Sequence, residues 1–194
     1  MDSFGFYVQL GFEHISDFAG YDHMLFLVAL CAIYRIQQWK SLLVLVTAFT
    51  IGHSVTLILS SLDLFEIPSN IIEFLIPVTI FLTSLNNVMG TNPADKSSKM
   101  TKNYAMALFF GFIHGMGFSN YFKALLMDAS SVTIPLLGFN IGIELGQLMV
   151  VFFIIIIAYL FLAKLAVKQR DWNVFISGAA AGISLVFMLE NKPW

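Results

Sequence analysis

The segment SLLVLVTAFTIGHSVTLILS, residues 41–60, decides the fold class of this protein. It contains no Asp, Glu, Lys or Arg, and a run of about 20 mostly apolar residues is long enough to cross the hydrocarbon core of a bilayer as a helix. The 194-residue chain is 58% hydrophobic and 11% charged, with a mean hydropathy of +0.83. Soluble domains usually carry roughly 25% charged residues. We therefore predict an all-α integral membrane protein.

Apolar stretches of spanning length recur along the chain. Six spans are expected, over residues 20–38, 41–62, 70–90, 103–126, 135–163 and 173–190. Residues 4–17 are predicted to form a short amphipathic helix that lies at the membrane interface. The connections are short, so residues 1–194 are interpreted as one polytopic membrane domain embedded in the lipid bilayer. No internal repeat is evident in the sequence.

The basic residues predict an orientation. Eight of the ten Lys and Arg residues fall in the loops after the first, third and fifth predicted spans: Arg35, Lys40, Lys96, Lys99, Lys102, Lys164, Lys168 and Arg170. Cytoplasmic loops carry such an excess, so both termini are predicted to lie outside. The first Lys or Arg is Arg35, so the first apolar run lacks the basic start of a secretory signal and is expected to be retained. Short loops favour a multi-pass protein of a bacterial-type inner membrane.

Ionisable side chains interrupt the apolar runs. They are expensive in hydrocarbon, and this cost makes each of them a candidate for a function. The candidates for metal ligation are His14, Asp22, His23, His53, His114 and Glu144. His14 lies in the predicted interfacial helix, and the depths of the other five along the predicted spans all fall in the middle and outer parts of the membrane. We expect them to converge on one site, which imidazole and carboxylate groups would make suitable for a divalent transition metal such as nickel or zinc.

Further polar residues share helix faces with these candidates. Asn140, Glu144 and Gln147 stand at i, i+4 and i+7 and therefore line one face of the fifth span, and Thr50 lies one turn before His53. These residues are predicted to support the site. The alternative for each membrane histidine is a simple hydrogen bond to a neighbouring helix, and it applies most strongly to His14 near the interface. A carboxylate as deep as Glu144 must be protonated, paired or solvated.

Several motifs together resemble the HupE/UreJ family of membrane proteins. The matching runs are Gly11–His14, Gly20–Leu27, Phe49–Leu57, Phe110–Phe118 and Phe139–Gln147. The resemblance implies a helical membrane protein related to nickel permeases that serve hydrogenase or urease maturation.

The chain departs from the permease pattern at two places. Seven residues separate His14 from Asp22, where the pattern has five. Phe118 and Tyr121 stand where the permease branch carries a second histidine and then a glutamate. The chain thus resembles a divergent branch, and replacement of the missing carboxylate by Glu144 is a hypothesis.

Three functions remain open on the sequence alone. The first is a permease for a transition-metal cation that binds transiently to the His/Asp/Glu cluster. The second is a membrane-embedded, metal-dependent hydrolase, in which Asp22 or Glu144 acts as general base. The third is a noncatalytic accessory subunit. A homo-oligomer or a membrane partner fits any of them. Nucleic-acid binding is not expected, because topology accounts for the few basic residues, and no Gly-rich phosphate loop suggests an ATP-driven cycle.

Overall fold

The computed structural model describes residues 4–17, 20–62, 64, 67–90, 97–126 and 132–194. Over these ranges all regular secondary structure is helical and no strand occurs, which confirms the predicted all-α class. The α-helices are α1 (Phe4–Ser16), α2 (Tyr21–Cys31), α3 (Trp39–Ser61), α4 (Ser69–Met89), α5 (Ser97–Leu126), α6 (Thr133–Tyr159) and α7 (Gln169–Glu190). A 3-10 turn over Ile36–Gln38 leads into α3, and a π-helical turn over Leu160–Lys164 extends α6.

Four helical segments are long and apolar enough to cross a membrane. They are Ile36–Ser61, Ser69–Met89, Thr133–Lys164 and Gln169–Glu190. They correspond to the second, third, fifth and sixth predicted spans. The fourth predicted span, 103–126, lies within α5, which is less apolar because it contains Asn103, His114 and Asn120. The first predicted span is the one that the structure changes.

The predicted first span, 20–38, is not one continuous helix. Its helical part, α2, ends at Cys31, and Ala32 and Ile33 form a turn. α1 and α2 contain 13 and 11 residues. At a rise of 1.5 Å per residue they measure about 20 Å and about 16 Å, so neither crosses about 30 Å of hydrocarbon alone.

α1 packs along α6 instead of standing apart from the bundle. A Cβ atom added at Gly138 would lie 2.9 Å from the carbonyl oxygen of Phe4, and one at Gly146 would lie 3.0 Å from Cβ of Ile15. Residue numbers rise together along the two helices, so they run parallel in close contact. This position disagrees with the expectation of an interfacial helix over residues 4–17, because α1 follows the axis of a helix that is long and apolar enough to cross a membrane.

α2 carries the chain onward in the same direction as α1. Contacts with α5 record this course: His14 with Phe118, His23 with His114, and Tyr34 with Asn103. The contacted position moves steadily back along α5 as the chain advances. α1 and α2 therefore follow each other in the same direction, with the helix interrupted between Ser16 and Tyr21.

The remaining helices alternate in direction. Pairs of contacts establish this for α4 with its neighbours: Ser69 with Asn120, Thr79 with His114, Phe74 with Trp194, and Asn87 with Asn173. α6 begins beside the end of α5, where the rings of Phe139 and Phe122 are 5.2 Å apart. Phe4, near the start of α6, and Trp194, near the start of α4, consequently lie at the same end of the bundle.

Two helix pairs in the bundle are built alike. In one pair, a Cβ atom at Gly111 of α5 would overlap the carbonyl oxygen of Phe49 of α3. In the other, a Cβ atom at Gly11 of α1 would overlap the carbonyl oxygen of Phe139 of α6. Both contacts require glycine, since any side chain would push the backbones apart.

The sequence around these contacts also matches. Residues 11–14 are GFEH and residues 111–114 are GFIH, while residues 139–142 are FNIG and residues 49–52 are FTIG. α1 with α6 thus corresponds to α5 with α3, and corresponding helices run in opposite directions. The expectation of no internal repeat was wrong. The repeat is inconspicuous because its two elements occur in swapped order along the chain.

Candidate metal centre

Histidines from four helices meet at the break between α1 and α2. The ring centroids of His14 and His23 are 4.7 Å apart, those of His23 and His114 are 5.2 Å apart, and those of His14 and His53 are 5.9 Å apart. His23, His53 and His114 are buried, and His53 is wholly inaccessible at 0% exposure. Four imidazole rings from four different helices therefore lie close together inside the protein.

Two overlapping groups of side chains place their ligand atoms within 4.8 Å of one another. One group is His14, His23 and His53, and the other is Asp22, His23 and His114. His23 belongs to both groups and is the centre of the cluster. Imidazole nitrogen with one carboxylate oxygen is a donor set that nickel, cobalt and zinc accept.

The backbone explains why these side chains meet. His14 occupies the last turn of α1, and Asp22 and His23 occupy the first turn of α2, so the break holds all three near one point. α3 and α5 pack backbone to backbone, because a Cβ atom at Gly115 would lie 2.7 Å from the carbonyl oxygen of His53. This packing brings both rings to His23, whose ring centroid lies 6.2 Å from that of His53 and 5.2 Å from that of His114.

Asp22 orients His23. Its Oδ1 atom accepts a hydrogen bond from Nδ1–H of the His23 ring (3.0 Å) and another from the His23 backbone N–H (2.8 Å). With the proton on Nδ1, the lone pair on Nε2 is available. That nitrogen is buried and has no partner among the residues described. A carboxylate behind an imidazole is the usual outer-shell arrangement of a metal-binding histidine.

Thr79 of α4 orients His114 in a similar way. The Thr79 hydroxyl donates to the carbonyl oxygen of Ile76 (2.7 Å), so its oxygen accepts from Nε2–H of His114 at 3.0 Å. The proton on Nε2 leaves the lone pair on Nδ1 free. Nδ1 is buried without a partner within the described ranges. The two rings therefore present opposite nitrogens, each selected by its own hydrogen bond.

The other two histidines carry unused nitrogens as well. Nε2 of His14 and both ring nitrogens of His53 are buried with no hydrogen-bond partner in the described part of the chain. Leaving a buried polar atom unsatisfied costs about 1–3 kcal/mol. Such atoms gathered in one place point to an electrophile that they bind in common, and a metal cation matches lone pairs on neutral imidazole.

Glu144 lies outside both groups of ligand atoms. Its carboxylate accepts a hydrogen bond of 2.6 Å from the hydroxyl of Thr47. One turn along, the hydroxyl of Thr50 donates to Oε1 of the buried Gln147 at 2.7 Å. These bonds join α3 to α6 beside the centre. The side chain of Asn140, on the same face of α6, has a buried Oδ1 atom without a partner among the described residues.

The sequence did not single out two residues that contact the histidines of the centre. Thr79 is a threonine in an apolar helix, and nothing in the spacing distinguishes it from Thr83. Phe118, noted only as a departure from the permease pattern, packs its ring 4.1 Å from that of His14 and 4.8 Å from that of Phe139. An aromatic wall thus borders the centre where the pattern carries a histidine.

Comparison with known proteins agrees with the motifs. The family model described as HupE / UreJ protein matches residues 1–191. No curated protein and no solved structure matches the chain. The motifs that carried the resemblance supply all four histidines of the centre. This chain belongs to the HupE/UreJ family.

Proposed function

We propose that this protein is a permease for a divalent, nickel-like transition-metal cation and that the four-histidine centre is its transient binding site. The observation that carries the proposal is the set of buried, unpartnered imidazole nitrogens on four separate helices. The resemblance of the motifs to those of nickel permeases points the same way.

In this proposal the protein crosses the membrane six times, with α1 and α2 together forming the first crossing. The alternating helix directions and the shared position of the two ends support this topology. Arg35 and Lys164 follow helices that end opposite the termini, so the positive-inside rule places both termini outside a cell membrane.

The inverted helix pairs favour transport over hydrolysis. Secondary transporters are commonly built from inverted repeats, with the substrate site near the bilayer midplane between broken helices. Here the break between α1 and α2 and the two glycine-packed pairs surround the histidines. A hydrolase would also need a free general base. Asp22 is held by His23, and Glu144 lies outside the centre.

The charge of the centre suits a site that releases its ion. Among the grouped ligands Asp22 is the single carboxylate, and the histidines are neutral donors when they bind metal. One negative charge only partly balances a divalent cation, so the ion is held by lone pairs rather than trapped by a cage of carboxylates.

Uptake of nickel or cobalt into proteoliposomes tests the proposal. His53→Ala and His114→Ala together should abolish uptake, whereas Glu73→Gln, on the exposed surface of α4, should leave it at the wild-type rate. Uptake that survives the double substitution would refute the permease. Tight, stoichiometric metal in the wild-type protein without any uptake would favour the hydrolase.

A further inference from the structure

Two layers of phenylalanine rings enclose the histidine centre. The outer aromatic layer consists of Phe118, Phe122 and Phe139, and the inner aromatic layer consists of Phe26, Phe49 and Phe110. In the outer layer the rings of Phe118 and Phe139 are stacked 4.8 Å apart with planes 5° from parallel. In the inner layer the rings of Phe26 and Phe49 are stacked 4.9 Å apart.

The layers lie on opposite sides of the histidines. Along α5, Phe110 comes one turn before His114 and Phe118 comes one turn after it. The ring of Phe118 is 4.1 Å from that of His14, while the ring of Phe49 is 5.1 Å from that of His114. The histidine centre therefore lies between two sets of aromatic rings along α5.

The inverted repeat makes the two layers equivalent. Phe49 begins FTIG on α3 and Phe139 begins FNIG on α6. The carbonyl oxygen of each lies against a glycine of the partner helix, where a Cβ atom would overlap it. Phe49 is 1% exposed and Phe139 is 0% exposed. Phe49 and Phe139 thus occupy corresponding positions in the two repeats, one in each aromatic layer.

Each layer also joins the two helix pairs. The outer layer brings α5 of one pair against α6 of the other. The inner layer brings α3 and α5 against Phe26 of α2, which continues the pass begun by α1. A rocking motion of one pair against the other would separate one layer while the opposite layer stays packed.

We propose that the outer and inner aromatic layers are the two gates of the permease, which open alternately by rocking of the α1–α6 pair against the α3–α5 pair. The inference rests on the proposed function. A charged ion cannot cross stacked phenylalanine rings without losing its hydration, and an unpaired charge in such surroundings is very costly. The rings of a layer must therefore separate before the ion passes, and the structure is the closed state between the two openings.

Side-specific labelling of a cysteine at the centre tests the gates. Cys31 is the only cysteine of the chain, so Cys31→Ala provides a thiol-free background into which His53→Cys introduces one reporter. A membrane-impermeant thiol reagent is applied to the outer face in cells and to the inner face in inverted vesicles. Phe118→Leu weakens the outer layer, Phe49→Leu weakens the inner layer, and Phe175→Leu, at a site 72% exposed on α7, is the control.

Phe118→Leu should raise the labelling rate from outside by about tenfold and leave the rate from inside unchanged, because it enlarges a minor open population. Phe49→Leu should do the reverse, and the control should change neither rate. Leucine keeps most of the apolar volume, and only variants that elute as monodisperse protein are compared. Labelling that rises equally from both sides, or does not rise in either variant, overturns the gates.

Nickel uptake by the same phenylalanine variants with His53 intact separates this inference from the proposed function. Side-specific labelling together with uptake in the wild type supports both. Uptake without side-specific labelling overturns the gates and leaves the permease. Side-specific labelling without uptake of nickel or cobalt would show that these cations are not the transported substrate. The two gates around the central site would still be supported.

Discussion

Replacement of Thr79 by valine tests whether its hydroxyl sets the chemistry of the centre. Valine has the same shape, so Thr79→Val removes the oxygen that accepts from Nε2–H of His114 without opening a cavity. The buried Nε2–H then lacks its partner, at a cost of about 1–3 kcal/mol unless the ring turns or moves its proton to Nδ1. Either response withdraws the Nδ1 lone pair from the centre.

The expected result is weaker binding of metal. Loss of a hydrogen bond behind a ligating histidine typically lowers metal affinity by about 10- to 100-fold, which corresponds to about 1.4–2.8 kcal/mol. Isothermal titration of the purified protein with nickel or cobalt measures this change. Thr83 provides the control, because it is buried one turn further along α4 and its hydroxyl donates to the carbonyl oxygen of Thr79.

Thr83→Val therefore removes a comparable backbone hydrogen bond and leaves His114 untouched. Its affinity for metal should equal that of the wild-type protein, and its loss of stability on heating should reflect only the one backbone hydrogen bond. Wild-type affinity in Thr79→Val, or an equal loss in the two variants, would show that the hydrogen bond to His114 does not orient a ligand.

Three other substitutions address the fold and the limits of the centre. Gly111→Ala should destabilise the protein by about 1–3 kcal/mol through overpacking, whereas Gly178→Ala, with open space around the added carbon, should not, as thermal unfolding in detergent will show. Asp22→Ala should reduce metal affinity by about 10- to 100-fold in titration, since His23 loses the group that fixes its tautomer. Glu144→Gln retains an acceptor for its hydrogen bond across to α3 and should bind metal like the wild type; a loss as large as that of Asp22→Ala would place Glu144 in the centre.

The class of the protein followed from the sequence because burial in lipid imposes a simple compositional rule. Long apolar runs predicted the helices, and four of the six predicted spans correspond to helices long enough to cross. Separate helices over residues 4–17 and 20–38 were predicted and correspond to α1 and α2, but the end of α2 at Cys31 was missed. A window of about 20 residues joins whatever apolar residues it contains, so it extended that span to residue 38 across the turn at Ala32 and Ile33.

The candidate site shows where a single sequence stops being informative. Depth along a helix can be counted, and it grouped the histidines with Asp22 and Glu144. The rotation of each helix about its own axis cannot be read from one sequence. In the structure Glu144 accepts a hydrogen bond from Thr47 and lies outside the groups formed by the other candidates. The role of Thr79 depends on contact between α4 and α5, which no local pattern encodes.

The inverted repeat is imperfect at the centre, and the imperfection connects binding to motion. His14 and His114 correspond under the repeat, but His53 corresponds to Ile143, a buried residue of α6 that cannot ligate a metal. The α3–α5 pair thus contributes His53 and His114, while α1 and the adjoining α2 contribute His14, Asp22 and His23. In the proposed alternation of the gates, the rocking that opens either aromatic layer also draws these two sets of side chains apart. In that proposal ion release and gate opening are one movement, and an ion that binds the assembled centre favours the closed state by its difference in affinity between the two arrangements.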